Sequence, residues 1–377
     1  MSPASFAMDV RASRGRRYPE PPHRYRNDYA RDRDRVIHSR AFRRLEAKTQ
    51  VFTTRFSDHF RNRLTHTLEV AQIARTVAGA LGLNTDLAEA LALVHDIGHP
   101  PFGHAGESQL DACMREHGEG FDHNLHALRI VEQFEQRYPA FPGLNLTFEV
   151  REGIIKHSRD YAPAEHPELA EYLLGERPPL EAQLIDLVDE IAYNTADVDD
   201  GFEARLLDLG ELRAAVPEFD ASYADVDRLY PRALSKLTFN EALKRVLDHL
   251  ATDLIENTRC RIEAAGVKTV EDVRRHPERL AGFSPEAAAL NTSLKRFLHT
   301  RLYAHPVLSE ERARSVAALD ALFRFFLDHP DRMPKYYADV ALREPRHRVV
   351  CDYIAGMTDQ FLLRQCRELL GSAAASV

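Results

Sequence analysis

Cysteine is scarce in this chain, and Cys113, Cys260, Cys351 and Cys366 lie far apart without a single CxxC pair. That spacing argues against a cysteine-built zinc site and for reduced thiols in a cytoplasmic protein. Nowhere do about 18 apolar residues follow one another, the length a membrane helix needs, so no span is expected. The N-terminal stretch is rich in Arg and Pro and has no apolar segment, which argues against a secretory signal. No alternating strand pattern runs beyond a few residues, and internal repeats and low-complexity tracts are missing. What is present is 377 residues, 44% hydrophobic and 29% charged. That suffices for a large core in one domain, or in two packed intimately together.

Acidic charge is missing from one place in particular. Between Arg11 and Arg44 there are 12 arginines and four acids, a local balance of +8 in a chain whose net charge is −8. The remainder carries −16. Residues 1–23 are expected to form a basic, disordered arm that is either solvated or meets phosphate, on a substrate or weakly on nucleic acid.

Helical periodicity dominates the rest. Leu64, Leu68, Ala71 and Val77 recur at helical spacing, as do Val70, Ile73, Val77 and Leu81, and His66 points inward with the second stripe. Asp86 and Glu89 resemble a capping pair that opens a helix with Leu87, Leu91 and Val94 inside, ended by Gly98 and Pro100-Pro101. A further helix is expected from about Leu180 to Val198, with Leu184, Leu187, Val188 and Ile191 as its core. On it Asp189, Tyr193 and Asp197 stand four apart and share one face. Beyond Gly210 the pattern stays helical, with breaks near Pro217, Pro231, Pro277, Pro330 and Pro334.

Four residues have the chemistry of metal ligands and sit on or beside inner helix faces: His66, His95, Asp96 and Asp189. Imidazole nitrogen and carboxylate oxygen suit borderline or hard divalent ions. Three helical segments can surround one ion with these donors and leave positions for water or phosphate oxygen. A single histidine on an apolar face is more often a hydrogen-bonded core residue. Eight of the 18 histidines fall between His59 and His126, so clustering rather than any one histidine carries the signal.

The segment His95-Asp-Ile-Gly-His-Pro-Pro-Phe-Gly-His-Ala-Gly-Glu107, the approach Arg63-Leu-Thr-His66 and the stretch Asp189-Glu-Ile-Ala-Tyr-Asn-Thr-Ala-Asp197 closely resemble the HD-domain superfamily. Within it the chain is similar to the deoxynucleoside triphosphate (dNTP) triphosphohydrolases, the dGTPase-like group. Ser39-Arg-Ala-Phe-Arg-Arg-Leu-Glu-Ala-Lys-Thr-Gln-Val51, Phe121-Asp-His-Asn124, Gly153-Ile-Ile-Lys-His157 and Cys351-Asp-Tyr-Ile-Ala-Gly-Met-Thr-Asp359 extend the resemblance from about residue 24 to about residue 368. It implies an all-α fold, an HD-domain helical core over 24–205 with an additional C-terminal helical region over 206–377.

The resemblance also implies a reaction. Water attacks the α-phosphorus, the 5′-oxygen leaves, and a dNTP becomes deoxynucleoside and inorganic triphosphate. The divalent metal (Mn, Mg, Fe, Co, Ni or Zn) would lie on His66, His95, Asp96 and Asp189. His104 matches the catalytic histidine, a residue type that can give a proton to the leaving oxygen. Glu107 matches the acid that orients it, and His123 a further active-site histidine. His99 is a weaker match, and His126 is equally readable as structural. Arg63 resembles an arginine that grips phosphate, where a bidentate fork suits the geometry. Gln50 resembles a residue that reads the sugar 3′-hydroxyl, and Tyr193 with Asp197 the pair lining the ribose pocket. Lys156, His157 and the Asp352-Tyr353 stretch match motifs but receive no role. The resemblance further implies a homo-oligomer, hexameric or tetrameric, and leaves room for a nucleotide activator.

Two rival readings stand beside this one. Another HD phosphohydrolase, acting on nucleoside monophosphates, cyclic nucleotides or ppGpp, shares the metal ligands but needs neither the Pro-Pro-Phe-Gly-His-Ala-Gly-Glu run nor the Tyr193–Asp197 extension. A nucleotide- or nucleic-acid-binding regulator without catalysis would fit the basic arm, yet every matched catalytic position is intact.

Overall fold

A computed structural model of the chain describes residues 3–52 and 59–371, so residues 1 and 2 of the basic arm lie outside the described residues. In chain order the α-helices are α1 (Asp28–Ile37), α2 (Arg40–Arg44), α3 (Arg63–Leu81), α4 (Thr85–Val94), α5 (Gly103–Arg115), α6 (His123–Arg129), α7 (Phe148–Ile155) and α8 (Leu180–Glu203). They continue as α9 (Leu209–Ala215), α10 (Pro217–Leu229), α11 (Ser235–Ala265), α12 (Val270–Arg275), α13 (Pro285–Phe297), α14 (Pro306–Asp328), α15 (Lys335–Val340), α16 (Arg346–Ala355) and α17 (Asp359–Leu370). Among the described residues β-pairing is limited to isolated bridges such as Arg16 with Thr147. The fold is all-α.

Two compact units interleave along the chain instead of dividing it at one residue. The first comprises residues 1–34, 66–93 and 146–305; the second comprises 35–65, 94–145 and 306–377.

In the first unit α8 packs against α11 and α13, and α10 lies along α11. Leu184, Val188 and Ile191 supply the buried stripe of α8, and Phe239, Val246 and Leu250 that of α11. Each fully buried residue of this size contributes about 1.5–3 kcal/mol, so the stripe, not intrinsic propensity, sets which way α8 faces. On α3 the buried face is His66, Val70, Ile73, Val77 and Leu81. Leu68, expected in the apolar stripe, is instead 51% exposed. At about 100° per residue it stands roughly 200° round the helix from His66, so both cannot face inward.

Helix α4 opens differently from the expected Asp86–Glu89 capping pair. Asn84 is the cap: its Oδ1 accepts from the Leu87 amide at 3.1 Å. Asp86 sits in the first turn, where its Oδ2 accepts from Asn27 Nδ2 at 2.6 Å. Glu89 takes Arg33 and Arg75.

The basic stretch expected to be a disordered arm is, from residue 3, laid on this first unit. Ala7 and Met8 are buried. The Met8 amide donates to Glu181 Oε1 at 2.9 Å, and the Arg14 amide and Ser13 hydroxyl donate to Glu149 at 2.8 and 2.6 Å. Arg16 pairs with Asp28 and Asp32, and Arg17 with Glu171. Asp32, Glu149 and Glu181 are all buried. A buried carboxylate without partners costs several kcal/mol, so donors from the arm offset a penalty inside the unit.

The second unit is centred on α14, which packs against α5, α16 and α17. Leu110, Met114, Leu322, Phe326, Ile354 and Leu362 are among its buried core residues.

Candidate active site

Local sequence explains how the second unit holds its candidate site residues. His95 and Asp96 follow the last residue of α4, and the chain then turns through Ile97-Gly98-His99-Pro100-Pro101-Phe102 into α5. Gly98 permits a close approach: a Cβ there would lie 2.0 Å from the His123 carbonyl oxygen and 2.6 Å from the Ala127 amide nitrogen. The absence of that carbon lets the start of α6 press against the turn. His99 and His123 rings consequently stack with centroids 4.0 Å apart at 23°. Phe102 (φ 64°) and Gly103 (φ 59°) are both left-handed, which redirects the chain into the helix bearing His104 and Glu107.

Asp96 is the hub of the turn. Its Oδ2 accepts from Arg63 Nη1 at 2.9 Å, while Oδ1 lies 2.9 Å from His99 Nδ1 and 3.6 Å from His95 Nε2. Burial pushes its carboxyl up, but Arg63, then His95 and His99, outweigh it and hold the group well below the usual carboxylate range. His99 behaves oppositely. Burial, then the Arg63 and His123 charges, hold its imidazole well below the ordinary histidine value, against the attraction of Asp96.

Glu107 joins the two other histidines. Its Oε1 lies 2.8 Å from His123 Nδ1 and accepts from the His123 amide at 3.0 Å, and its Oε2 lies 3.3 Å from His104 Nδ1. Burial raises the Glu107 carboxyl, but hydrogen bonds from His104 and His123 and the charge of His123 drive it far below its ordinary value. The His104 side chain is 81% exposed, whereas the Glu107 carboxylate it meets is half-buried. His99, Glu107 and His123 bring donor atoms within 4.8 Å of one another, a spacing that also suits a cation.

In the first unit the site residues ride on regular helices. His66 Nε2 on α3 lies 2.9 Å from Asp189 Oδ1 on α8. Tyr193 follows one turn later, its phenol pushed well above the ordinary value by burial and then by Glu190, Asp189 and Asp197. Asp197 is buried and accepts from the Tyr303 hydroxyl. Gln50, in the second unit, has a buried side-chain oxygen with no hydrogen-bond partner among the described residues. Arg63, expected at substrate phosphate, is buried and engages Asp96.

Two residues that engage Glu190 carried no sequence signal. On α13, Asn291 donates to Glu190 Oε2 at 2.7 Å, and Lys295 Nζ lies 2.6 Å from Glu190 Oε1 and 6.0 Å from the Tyr193 ring centre. The motifs left without a role have internal partners. Lys156 spends its ammonium on Glu152 and the carbonyls of Leu173 and Glu176, and His157 lies 2.6 Å from Asp186. Asp352 takes Arg129 through both oxygens and lies 3.5 Å from the buried His126.

Among the described residues no helix is long and apolar enough to cross a membrane. Residues 63–194 match the HD domain, and residues 281–368 match the phosphohydrolase-associated domain. A deoxyguanosinetriphosphate triphosphohydrolase-like protein of Caulobacter sp. (strain K31) is 48% identical over 379 residues, covering 97% of this chain and 96% of its own length. Proteins of the same description from Azoarcus sp. (strain BH72) and Bordetella pertussis are 47% and 45% identical, with the same coverage of both chains.

Proposed function

Since the chain belongs to the deoxyguanosinetriphosphate triphosphohydrolase-like family of HD-domain proteins, we propose that it hydrolyses dNTPs to deoxynucleoside and inorganic triphosphate. The observation that carries this reading is the Glu107 carboxylate bridging His104 and His123. A phosphoester whose leaving group is a sugar alkoxide needs a proton at that oxygen. With Nδ1 of His104 turned to Glu107, its Nε2 is left to face a departing 5′-oxygen. Water adds to the α-phosphorus, the bond to the 5′-oxygen breaks, and His104 supplies the proton that makes it a hydroxyl. Glu107 holds the ring in that orientation and shares its charge between His104 and His123.

His66, His95, Asp96 and Asp189 would hold the divalent ion. The donor chemistry fits: His66 Nε2 lies 2.9 Å from Asp189 Oδ1, and His95 Nε2 lies 3.6 Å from Asp96 Oδ1. Neighbouring ligands on one ion with bonds of about 2.1 Å stand roughly 3 Å apart. Bound there, the ion would supply Lewis-acid polarisation of phosphoryl oxygens. For the substrate, the unpartnered oxygen of Gln50 suits a sugar hydroxyl, and Tyr193 with Asp197 suits the ribose ring, an aromatic face there disfavouring a 2′-hydroxyl. Arg63, beside Asp96, suits phosphate oxygen.

The test is product identity. Protein loaded with Mn²⁺ is incubated with each dNTP singly and with the mixture, so that dependence on an activating nucleotide shows itself. Release of intact triphosphate supports the reading. Release of nucleoside monophosphate with pyrophosphate overturns it.

A further inference from the structure

The turn that delivers His104 contains a strained element. Phe102 is a non-glycine residue at φ 64°, followed at once by left-handed Gly103. For a bulky side chain that conformation costs roughly 1–3 kcal/mol and persists only where surroundings over-determine it. The holding contacts come from far along the chain, all within the second unit.

Asp359 is buried at the start of α17 and aims both oxygens at backbone and hydroxyl donors. Its Oδ1 accepts from the Phe102 amide at 3.1 Å, which ties down the left-handed residue itself. Its Oδ2 accepts from the Thr49 amide at 2.8 Å and from the Thr49 hydroxyl. Next to Thr49, the buried Lys48 sends its Nζ to the His99 carbonyl and, at 3.1 Å, to the Ala355 carbonyl. The turn from 99 to 102 is thus held at its first carbonyl by Lys48 and at its last amide by Asp359. At the outer edge a Gly103 Cβ would lie 2.8 Å from Arg63 Nη2, so the turn also sits against the arginine that holds Asp96.

We infer that Asp359 and Lys48 are positioning residues for catalysis: together they clamp the His99–Phe102 turn, and through it set where His104 stands at the head of α5. The phosphohydrolase-associated region, which contains Ala355 and Asp359, thereby completes the HD turn. This rests on the proposed role of His104.

Asp359→Asn is the informative change, because an amide keeps the size but presents one NH₂ to donors. Whichever way it is turned, either Phe102 or Thr49 loses its acceptor. Lys48→Met is the second. Burial already pushes the Lys48 ammonium down to about 7, and methionine fills the space while removing both donors. Each variant is assayed for kcat and KM with the dNTP mixture, for bound metal, and for amide hydrogen exchange in peptides spanning 99–104. The expected result is kcat lower by roughly 10–100-fold, the scale of a small misplacement. KM and metal content should stay close to wild type, and exchange should rise in 99–104 while the core of α14 stays protected. In the Asp359→Asn background, His104→Ala should cost far less than it does alone. Wild-type kcat in either variant, unchanged exchange in 99–104, or full additivity with His104→Ala overturns the clamp. If Asp359→Asn fails to fold, Lys48→Met decides. If wild-type protein releases no triphosphate, the proposed function falls and the catalytic role of the clamp with it, whereas loosened exchange alongside an active wild type and normal kcat overturns positioning only.

Discussion

On α8, Asp189, Tyr193 and Asp197 stand four residues apart along one face of a 24-residue helix, and ordinary backbone bonding suffices to align them. Between Asp96 and His104 the chain does the reverse. It crosses two left-handed residues and a glycine with no room for a Cβ, and it relies on Lys48 and Asp359 for its shape. Helix-borne positions are fixed by neighbours in sequence and tolerate change elsewhere. Turn-borne positions inherit their accuracy from residues up to 257 positions away, so distant substitutions reach the proposed proton donor more readily than they reach Asp189.

That contrast can be broken at its hub. Asp96→Ala removes the carboxylate that engages Arg63 and lies beside His95 and His99. The expected outcome is loss of bound divalent ion and of measurable turnover, read by elemental analysis beside the assay. Equal metal in variant and wild type would remove Asp96 from the ligand set.

The next effect separates chemistry from ion binding. His104 is the exposed member of the Glu107 pair, so His104→Ala should keep the ion and lower kcat by roughly 10²–10⁴-fold, the span for a general acid. Glu107→Ala should lose less, and the double variant little more than His104→Ala alone, because the two act as one unit. Near-normal turnover in His104→Ala would move the role to His123.

Glycines sharpen the comparison of regions through stability. A Cβ at Gly98 in the turn meets backbone, the His123 oxygen at 2.0 Å and the Ala127 nitrogen at 2.6 Å. At Gly153 on α7 a Cβ meets Leu91 Cδ2 at 2.1 Å, the far end of a side chain that can rotate. Overpacking commonly costs about 1–3 kcal/mol, more where nothing can yield. Gly98→Ala should therefore lower the thermal midpoint further than Gly153→Ala and spread the His99–His123 stack. Equal shifts by calorimetry would mean that the turn yields as easily as the helix.

The smallest effect belongs to the regular helix. Tyr193→Ala should leave metal binding and fold intact and narrow the preference for dNTP over ribonucleotide, measured as the ratio of kcat/KM values. Truncation of Lys295, 6.0 Å from the Tyr193 ring, should move that ratio less. An unchanged ratio in Tyr193→Ala would end its sugar-reading role.

The legible parts of this protein are those set within a few residues. The inward stripe from His66 through Val70, Ile73, Val77 and Leu81 is a consequence of 3.6-residue periodicity, and the same rule puts Asp189, Tyr193 and Asp197 on one face. Periodicity misled at Leu68, since an apolar residue at helical spacing can belong to the exposed side. It misled again at Asp86 and Glu89, because Asn84 lies closer to the first free amides of α4.

The sequence alone therefore determined the helical class, the candidate ligand types and the motif run that places His104 and Glu107 three residues apart. Only tertiary structure decided that Glu107 also holds His123, that the arm's donors answer Asp32, Glu149 and Glu181, and that Asp359 secures Phe102. The reason is physical. Helical pattern records which face is removed from water over a few turns. A buried carboxylate's partner is chosen by whichever donor the folded chain brings within about 3 Å, at any separation in sequence.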